Sequence, residues 1–228
     1  MAANSSQISS LYRQRLGKFL AEVTVYPVSG ENLANGRSDY EWLAAVLAGG
    51  ARIVQLRDKA ADDRTLLAKA RIFRQQTSEA GALLIINDRV DIALLAAADG
   101  VHLGNNDLPP EEVRKLAPDL IIGVSCNTMA QAAALNRQPW EAAVSYYNIG
   151  PLFPTRTKKG LTDFLGLEAI ARFAAGSALP FTVMGGIKFK HIPELVARQA
   201  RRIALVTALT RADDIEEETR KWVKALTR

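Results

Sequence analysis

The sequence predicts a single (β/α)8 barrel with an extra helix at its N-terminus. Eight short apolar segments follow one another at regular spacing, and segments with helical patterns lie between them. The apolar segments are hydrophobic at nearly every position, which is typical of strands covered on both faces, as in parallel sheets. A chain of 228 residues also falls in the size range of one such barrel. An open, doubly wound sheet is the alternative. It normally carries a glycine fingerprint after its first strand, and residues 26–30 have none.

The predicted strands and helices alternate along the chain. We predict strands over residues 23–28, 52–56, 83–86, 100–103, 120–124, 144–149, 181–184 and 203–207. We predict helices over residues 39–48, 62–80, 110–116, 129–137, 166–174 and 192–199. Asp62 and Asp63 suit the N-terminus of the long second helix, and Gly81 suits its C-terminus.

Two terminal segments complete the predicted architecture. Residues 9–22 place Leu11, Leu16, Phe19 and Leu20 at helical spacing, and we expect this helix to close the N-terminal end of the barrel. Residues 213–228 are acidic early and basic late, which suits a closing helix because of the helix dipole. The predicted domains are therefore an N-terminal helical extension over residues 1–22 and a barrel over residues 23–228.

The composition is that of a globular protein in a reducing compartment. Hydrophobic residues make up 48% of the chain and charged residues 23%, a balance that argues against disorder. No apolar run approaches the ~20 residues that a transmembrane helix needs. The N-terminus lacks the basic start and apolar region of a secretory signal, and one cysteine, Cys126, excludes an internal disulfide. We therefore expect a cytoplasmic protein without a membrane partner.

The net charge of +5 favours acidic partners, which are either nucleic acid or small phosphorylated ligands. The 29 lysines and arginines are scattered and form no basic tract. No basic stripe carries the interleaved aromatic residues that single-strand binders use. Small phosphorylated molecules are therefore the favoured partners, and nucleic acid is not expected. The sequence leaves the oligomeric state open, a homodimer included.

Polar clusters follow four of the predicted strands, and their chemistry suits a pyrophosphate. The clusters are Gln55-Leu-Arg57-Asp-Lys59, Asn87-Asp88, Gly104-Asn-Asn-Asp107 and Thr155-Arg-Thr157-Lys158. Two of them offer cations and hydroxyls for phosphate oxygens. The other two offer carboxylates, and Mg²⁺ is commonly held by one or two carboxylates together with substrate phosphates. Because active sites of such barrels lie at the carboxyl ends of the strands, we expect all four clusters to meet there.

Each cluster also has a structural interpretation. Arg57 and Lys59 suit two phosphates, but they also suit a rim ion pair through Asp58. Asp88 suits a metal or a helix cap before Val90, and Asp107 suits a metal or the cap of the helix that begins at the prolines. His102, within its strand, is expected to be a packed, hydrogen-bonded core residue.

The loop over residues 150–160 is the strongest local signal for a ligand. Two prolines hold an irregular segment that ends in Thr155, Thr157 and Lys158, and rigid polar loops of this kind usually bind something. Gly185 and Gly186 follow the seventh strand, where backbone N–H groups of such barrels approach a phosphate. Thr207 adds a hydroxyl at the end of the eighth.

Five stretches of the sequence together resemble the thiamine phosphate synthase family, from about Val25 to the C-terminus. They are VQLRDK, LLIINDRVDIALLAAADGVHLGNNDLP, IIGVS, GPLFPTRTKKG and GGI, in the order that the family has them. The resemblance implies an enzyme that joins hydroxymethylpyrimidine diphosphate to a thiazole phosphate, with release of pyrophosphate. It implies Mg²⁺ as the cofactor and no side-chain nucleophile. Cys126 is accordingly expected to be a packing residue.

The resemblance also implies roles for individual residues. The pyrimidine diphosphate would be held by Gln55, Arg57, Lys59, Asn87, Ser125 and Lys158, of which Arg57, Lys59, Ser125 and Lys158 are the candidate catalytic groups. Mg²⁺ would be held by Asp88 and Asp107. The thiazole phosphate would be held by Thr155, Thr157, Gly185, Gly186, Val206 and Thr207.

Several positions depart from the family's pattern. Asn127 stands where the family usually has a histidine, Arg156 replaces a smaller or acidic residue, and residues 139–148 differ in sequence and length. Gln199-Ala-Arg201-Arg202 replaces Gly-Ala before the last strand, close in sequence to the expected phosphate site. The two arginines and residues 139–148 keep open the alternative of a non-catalytic sensor of a thiamine-pathway phosphate. A thiazole tautomerase-like relative is the other alternative, and the missing histidine at Asn127 counts against it.

Overall fold

The computed structural model describes residues 9–30, 35–137, 140–155 and 163–227 and confirms the barrel. Its eight strands are β1 Val25–Pro27, β2 Ile53–Leu56, β3 Leu83–Asn87, β4 Gly100–Leu103, β5 Ile121–Cys126, β6 Tyr146–Ile149, β7 Phe181–Val183 and β8 Ile203–Leu205. They form one sheet in the order β1-β8-β7-β6-β5-β4-β3-β2, and every pairing is parallel. An isolated parallel bridge between Val28 and Gln55 joins the two ends of this order, so the sheet closes on itself.

Helices lie between the strands in the described part of the chain. They are α1 Ser10–Glu22, α2 Asp39–Ala48, α3 Asp63–Glu79, α4 Val90–Leu95, α5 Pro110–Leu116, α6 Met129–Ala134, α7 Trp140–Ala143, α8 Glu168–Gly176, α9 Ile192–Ala197, α10 Thr207–Thr210 and α11 Ile215–Leu226. The Asp62 side chain caps α3 as expected, accepting a hydrogen bond from the Thr65 amide at 2.9 Å. None of the described helices is long and apolar enough to cross a membrane.

Strand residues alternate strictly between the barrel interior and the helices. In β2, for example, Val54 and Leu56 belong to the outer hydrophobic layer that the helices cover. Ile53 belongs to the inner cluster, and the next inward position, Gln55, is polar. The interior is therefore apolar near the N-terminal ends of the strands and polar near their carboxyl ends, which is where the barrel leaves room for a ligand.

Helix α1 closes the N-terminal end of the barrel, as the sequence predicts. Phe19 is fully buried in the inner cluster and stacks on Tyr146, with ring centroids 4.6 Å apart. Arg15 holds the helix to the barrel through the Asp99 carboxylate at 3.2 Å and the Asp119 carbonyl at 2.8 Å. This end of the barrel is thus filled by a side chain and sealed by an ion pair.

Arg202 belongs to this closed end and not to the expected phosphate site. Its guanidinium donates to the Phe19 carbonyl at 3.3 Å and to the Leu20 carbonyl at 2.7 Å, and it lies over the Phe19 ring. The proximity in sequence to residues 206–207 was misleading, because the three residues of β8 separate the two ends of the barrel. Arg202, one of the residues that replace Gly-Ala, therefore holds α1 to the barrel.

The eighth strand is shorter than predicted. It ends at Leu205, and Thr207 is the first residue of α10. The apolar pattern continues through Val206 into this short helix, because the helix packs Leu209 into the same core. An apolar run that passes from a strand into a buried helix carries no sequence signal at the junction.

Candidate active site

The carboxyl ends of the strands surround one cavity of about 420 Å³. Every predicted site residue that the structure describes lines it: Gln55, Arg57, Lys59, Asn87, Asp88, Asp107, Ser125, Thr155, Gly185, Gly186, Val206 and Thr207. Thr157 and Lys158 lie outside the described residues, and so does Arg156. Residues far apart in the sequence meet here because parallel strands of a closed barrel all end at the same rim.

Two carboxylates stand in contact at one side of the cavity. The side chains of Asp88 and Asp107 are within hydrogen-bonding contact of each other, and Lys59 forms an ion pair with Asp88 at 2.8 Å. Burial opposes ionisation of Asp88, but hydrogen bonds with Lys59 and Asp107 outweigh it and lower its pKa. Burial and the contact with Asp88 raise the pKa of Asp107. The pair therefore favours sharing one proton, unless a cation lies against it.

Neither carboxylate is a helix cap. The N-cap of α4 is Arg89, with no side-chain cap bond, and the N-cap of α5 is Pro109. Asp88 instead has a left-handed backbone, with φ 61°, and Asp107 accepts a hydrogen bond from the Gly104 amide at 2.6 Å. The capping interpretation of both residues is wrong, and both side chains face the cavity.

Arg57 and Lys59 lie on a loop that is fixed from below. The Ser29 hydroxyl accepts from the Arg57 amide at 2.8 Å and donates to the Arg57 carbonyl at 3.1 Å. Asp58 accepts from the amides of Ala60 and Ala61 and pairs with Lys69 of α3 at 2.5 Å. Burial opposes ionisation of Asp58, but these hydrogen bonds outweigh it and lower its pKa. The interpretation as a rim ion pair through Asp58 is wrong, because the partner of Asp58 is Lys69.

A row of hydrogen-bonded side chains crosses the barrel below the cavity. Gln55 Nε2 donates to the Tyr26 hydroxyl at 2.9 Å, and the hydroxyls of Tyr26 and Tyr146 are 2.9 Å apart. Tyr146 contacts His102 Nδ1 at 3.1 Å, and His102 Nε2 contacts Ser125 Oγ at 3.1 Å. We call these five residues the polar row. His102 is buried as expected, and burial lowers its pKa to about 4, so the ring is neutral at pH 7.

Glycines form the opposite wall. Gly185 and Gly186 follow β7 with φ values of 96° and 62°, which residues other than glycine rarely adopt. A Cβ at Gly185 would lie 2.5 Å from the Pro151 Cβ, and one at Gly186 would lie 2.5 Å from the Pro154 carbonyl oxygen. The Phe153 amide donates to the Gly185 carbonyl at 3.0 Å. The two glycines thus allow the loop that carries Thr155 to pack directly on the wall.

Several residues of the cavity were not predicted to be site residues. Asn148 and Thr182 lie on the floor and are hydrogen-bonded to each other at 2.8 Å. Asn127 lines the rim, accepts from Asn105 at 3.0 Å and donates to the Gly150 carbonyl. The signal for Asn148 and Thr182 was present, since both are polar residues at inward positions of otherwise apolar strands.

Cys126 is remote from this chemistry. Its side chain lies in the outer hydrophobic layer, 1% exposed, and burial raises the pKa of the thiol to about 12. The thiol is covered by apolar neighbours and does not line the cavity, so it is not in reach of a ligand there. The expectation of a packing residue is confirmed by its surroundings.

These features define a class of protein. It is a closed (β/α)8 barrel whose cavity at the carboxyl ends combines basic side chains, a carboxylate pair and a glycine turn after β7, a combination suited to phosphorylated ligands. Residues 25–209 match the family model described as thiamine monophosphate synthase. The chain belongs to this family.

Individual relatives agree with the family match. A thiamine-phosphate synthase from Pelotomaculum thermopropionicum is 39% identical over 92% of this chain and 95% of its own length. Another from Caldicellulosiruptor bescii is 37% identical over 92% of this chain and 94% of its own length. The solved structure of a thiamine phosphate pyrophosphorylase from Pyrococcus furiosus superposes with a TM-score of 0.79 at 30% identity, covering 91% of this chain and 98% of that one.

Proposed function

We propose that this protein joins hydroxymethylpyrimidine diphosphate to a thiazole phosphate, forming thiamine phosphate and releasing pyrophosphate. The observation that carries the proposal is the contact between Asp88 and Asp107, beside Lys59, in the same cavity as the Gly185–Gly186 turn. One wall thus suits a metal-bound diphosphate and the other a second phosphate. A reaction between two phosphorylated molecules needs both.

The carboxylate pair fits Mg²⁺ on its chemistry. Two carboxylates held against each other at the mouth of a cavity repel when both are ionised, and burial together with this contact raises the pKa of Asp107. A divalent cation would remove the repulsion, and Mg²⁺ usually takes one or two protein carboxylates and completes its shell with phosphate and water. Asp88 and Asp107 would hold the ion, which would neutralise charge on the leaving pyrophosphate.

The remaining groups divide between the two substrates. We assign Gln55, Arg57, Lys59, Asn87, Ser125 and Lys158 to the pyrimidine diphosphate. We assign Thr155, Thr157, Gly185, Gly186, Val206 and Thr207 to the thiazole phosphate. The support for this division is spatial. Among the described residues, the cations and carboxylates follow β2, β3 and β4, whereas the glycines follow β7 and Val206 and Thr207 stand at the start of α10.

The reaction asks the protein to stabilise charge and to position two molecules. The bond between the pyrimidine methylene carbon and the diphosphate oxygen breaks, and its electron pair leaves with the pyrophosphate. The thiazole nitrogen then donates its lone pair to the methylene carbon, forming the new C–N bond. Arg57, Lys59 and Lys158 would stabilise the negative charge on the leaving group, and no side-chain nucleophile is required.

The carboxylate pair also separates this function from its alternatives. A thiazole tautomerase-like activity moves one proton and has no diphosphate for a metal, Arg57 and Lys59 to bind. A non-catalytic sensor has no need for a cavity that takes two phosphorylated ligands side by side. We therefore place the Mg²⁺-dependent synthase first, and we propose the cytoplasm as its location, where a buried, unpaired Cys126 stays reduced.

The direct test is turnover by the purified protein. With Mg²⁺ and both substrates we expect stoichiometric formation of thiamine phosphate and pyrophosphate, and we expect none when EDTA replaces Mg²⁺. Substrate binding without turnover would favour the sensor. Turnover of a thiazole carboxylate phosphate without any pyrimidine diphosphate would favour the tautomerase.

A further inference from the structure

The polar row joins two proposed ligand-binding residues through three residues that have no assigned role. Gln55 and Ser125 stand at its ends, on β2 and β5, and Tyr26, Tyr146 and His102 lie between them. Both tyrosines are at most 2% exposed and His102 is 8% exposed. The hydroxyls and the ring nitrogens therefore depend on one another for hydrogen bonds. Reversing the hydrogen bond at one end of the row changes the donor and acceptor roles at the other end.

When Gln55 Nε2 is the donor to Tyr26, counting protons gives one direction for every bond in the row. Gln55 Nε2 donates to Tyr26, so the single hydroxyl proton of Tyr26 goes to the Tyr146 oxygen. The proton of Tyr146 then goes to His102 Nδ1, which must be unprotonated. The proton of the neutral imidazole is consequently on Nε2, and it is donated to Ser125 Oγ.

One other arrangement also satisfies these five groups. If the Gln55 amide is turned over, its oxygen accepts from Tyr26 and every later bond reverses. His102 then carries its proton on Nδ1, and Ser125 gives its own proton to Nε2. In that state Ser125 presents only lone pairs to the cavity.

The charge of the ligand distinguishes the two directions. A serine that accepts from His102 keeps its own proton free for an anionic oxygen, whereas a serine that donates to His102 turns lone pairs toward it. Hydrogen bonds to charged groups contribute about twice as much as neutral ones. A diphosphate at Ser125 therefore requires the direction that runs from Gln55 to Ser125, which is the one that follows when Gln55 Nε2 donates to the Tyr26 hydroxyl.

We propose that Tyr26, Tyr146 and His102 are positioning residues, which hold His102 as its Nε2–H tautomer and so make the Ser125 hydroxyl a hydrogen-bond donor to the diphosphate substrate. The proposal rests on the proposed function for the identity of that substrate. The row also leaves the Gln55 carbonyl oxygen for the cavity, as an acceptor for an N–H group. One end of the row thus accepts from the ligand and the other donates to it.

The surroundings of Tyr146 hold the row in place. Phe19 stacks on its ring from below, and Gly123 of β5 leaves room for it, since a Cβ there would lie 2.2 Å from the ring. His102 is fixed through the backbone, because its carbonyl accepts from the Asp88 amide at 2.8 Å. The row is therefore attached to the plugged end of the barrel and to the loop with the carboxylate pair.

The first test reads the tautomer directly. In protein labelled with ¹⁵N-histidine, the His102 signals are assigned by removing those of the other histidine with His191→Gln. We expect the Nε2–H tautomer at neutral pH in the resting protein. The Nδ1–H tautomer would overturn the proposal. This measurement needs no turnover, so its outcome is separate from that of the activity assay.

The second test compares two buried tyrosines of the same strand. Tyr146→Phe removes the centre of the row, and Tyr147→Phe removes a hydroxyl that binds the Phe173 carbonyl at 3.2 Å on the outer face of β6. We expect Tyr146→Phe to lower kcat/KM for the pyrimidine diphosphate about tenfold and Tyr147→Phe to change it less than about twofold. Equal losses in both variants would overturn the proposal.

A double variant shows whether Tyr146 acts through Ser125. We expect Ser125→Ala with Tyr146→Phe to be no less active than Ser125→Ala alone, whereas multiplied losses would overturn the proposal. If Tyr146→Phe does not fold, Tyr26→Phe interrupts the row one bond earlier and is compared in the same way. If the wild type has no synthase activity, the proposed function fails, and the same variants are then compared by calorimetric binding of pyrophosphate with Mg²⁺.

Discussion

At the scale of single residues, the carboxylate pair gives the sharpest prediction. For Asp107→Asn we expect the Mg²⁺ concentration for half-maximal activity to rise at least about tenfold, because one charged ligand of the proposed Mg²⁺ site is lost. Without Mg²⁺ we expect the variant to be no less stable than the wild type, because Asp107 no longer opposes Asp88. Pyrophosphate release at varied Mg²⁺ and thermal unfolding in EDTA measure the two effects.

The control for that variant is a carboxylate outside the cavity. Asp91 pairs with Arg89 on the surface at 2.6 Å, so Asp91→Asn should leave the Mg²⁺ dependence unchanged. An unaltered Mg²⁺ dependence in Asp107→Asn would remove the residue from the metal site. An unaltered Mg²⁺ dependence in Asp88→Asn as well would show that the carboxylate pair does not bind the metal.

Glycines provide a second prediction at this scale. A Cβ at Gly123 would lie 2.2 Å from the Tyr146 ring, so Gly123→Ala must displace a ring that is buried on all sides. We expect a loss of at least about 2 kcal/mol in the free energy of unfolding. At Gly17, inside α1, a Cβ meets nothing within 4 Å, and Gly17→Ala should instead gain about 0.5–1 kcal/mol. Denaturant unfolding of both variants checks the contrast in sign.

At the scale of elements, α1 is predicted to stabilise the barrel through one side chain. Phe19→Ala leaves a cavity beneath Tyr146, and we expect it to cost about 3–5 kcal/mol. Leu11→Ala, on the same helix, should cost less than about 1 kcal/mol because Leu11 is 42% exposed. Urea unfolding of both variants measures the difference. Similar small losses in both would mean that α1 only covers the barrel.

The elements also show what the sequence predicts well and what it does not. Strands β2 to β7 were expected within one or two residues, because a strand buried on both faces is apolar along its whole length and bounded by polar turns. The short helix α7 was missed, and α4 was anticipated only as the alternative of a helix cap before Val90, since four to six residues give too few turns for a helical period. The boundary of β8 with α10 was missed because both are apolar.

Part of the candidate site could likewise be predicted from the sequence, and part of it could not. The polar clusters at strand exits were visible because charged and amide groups interrupt the apolar pattern there. The polar row was not, since Tyr26 and Tyr146 read as apolar strand residues and their hydroxyls meet only across the barrel. The contact of Arg202 with α1 could be recognised only from the structure. Distance in sequence from Thr207 does not indicate at which end of the strand a residue lies.

At the scale of the whole molecule, the sheet is unevenly paired. β2 and β3 share four aligned residue pairs, and β1 and β8 share three. By contrast, β1 meets β2 through the single bridge of Val28 with Gln55, and β7 meets β8 through the single pair of Val183 with Ile203. Strands β8 and β1 therefore form a two-stranded unit with a thin joint on either side.

Hydrogen exchange should reveal these joints. The Ser29 amide, which donates to the Gln55 carbonyl, and the Val183 amide, which donates to the Arg202 carbonyl, are expected to exchange faster than amides of β3. Saturation with pyrophosphate, Mg²⁺ and thiazole phosphate is expected to slow both of them more than those of β3. Uniform protection across the sheet would contradict the prediction.

The two thin joints have a consequence for how the molecule is kept intact. Gln55 belongs to the joint between β1 and β2 and faces the cavity. The glycine turn follows β7, which forms the other joint with β8. Bound substrates would contact the strands at both joints and so stabilise the closed barrel. In a cell with abundant substrates the protein would then resist heat and proteases better. When the precursors are scarce, the same protein would be degraded faster, so its cellular lifetime would follow the supply of its substrates.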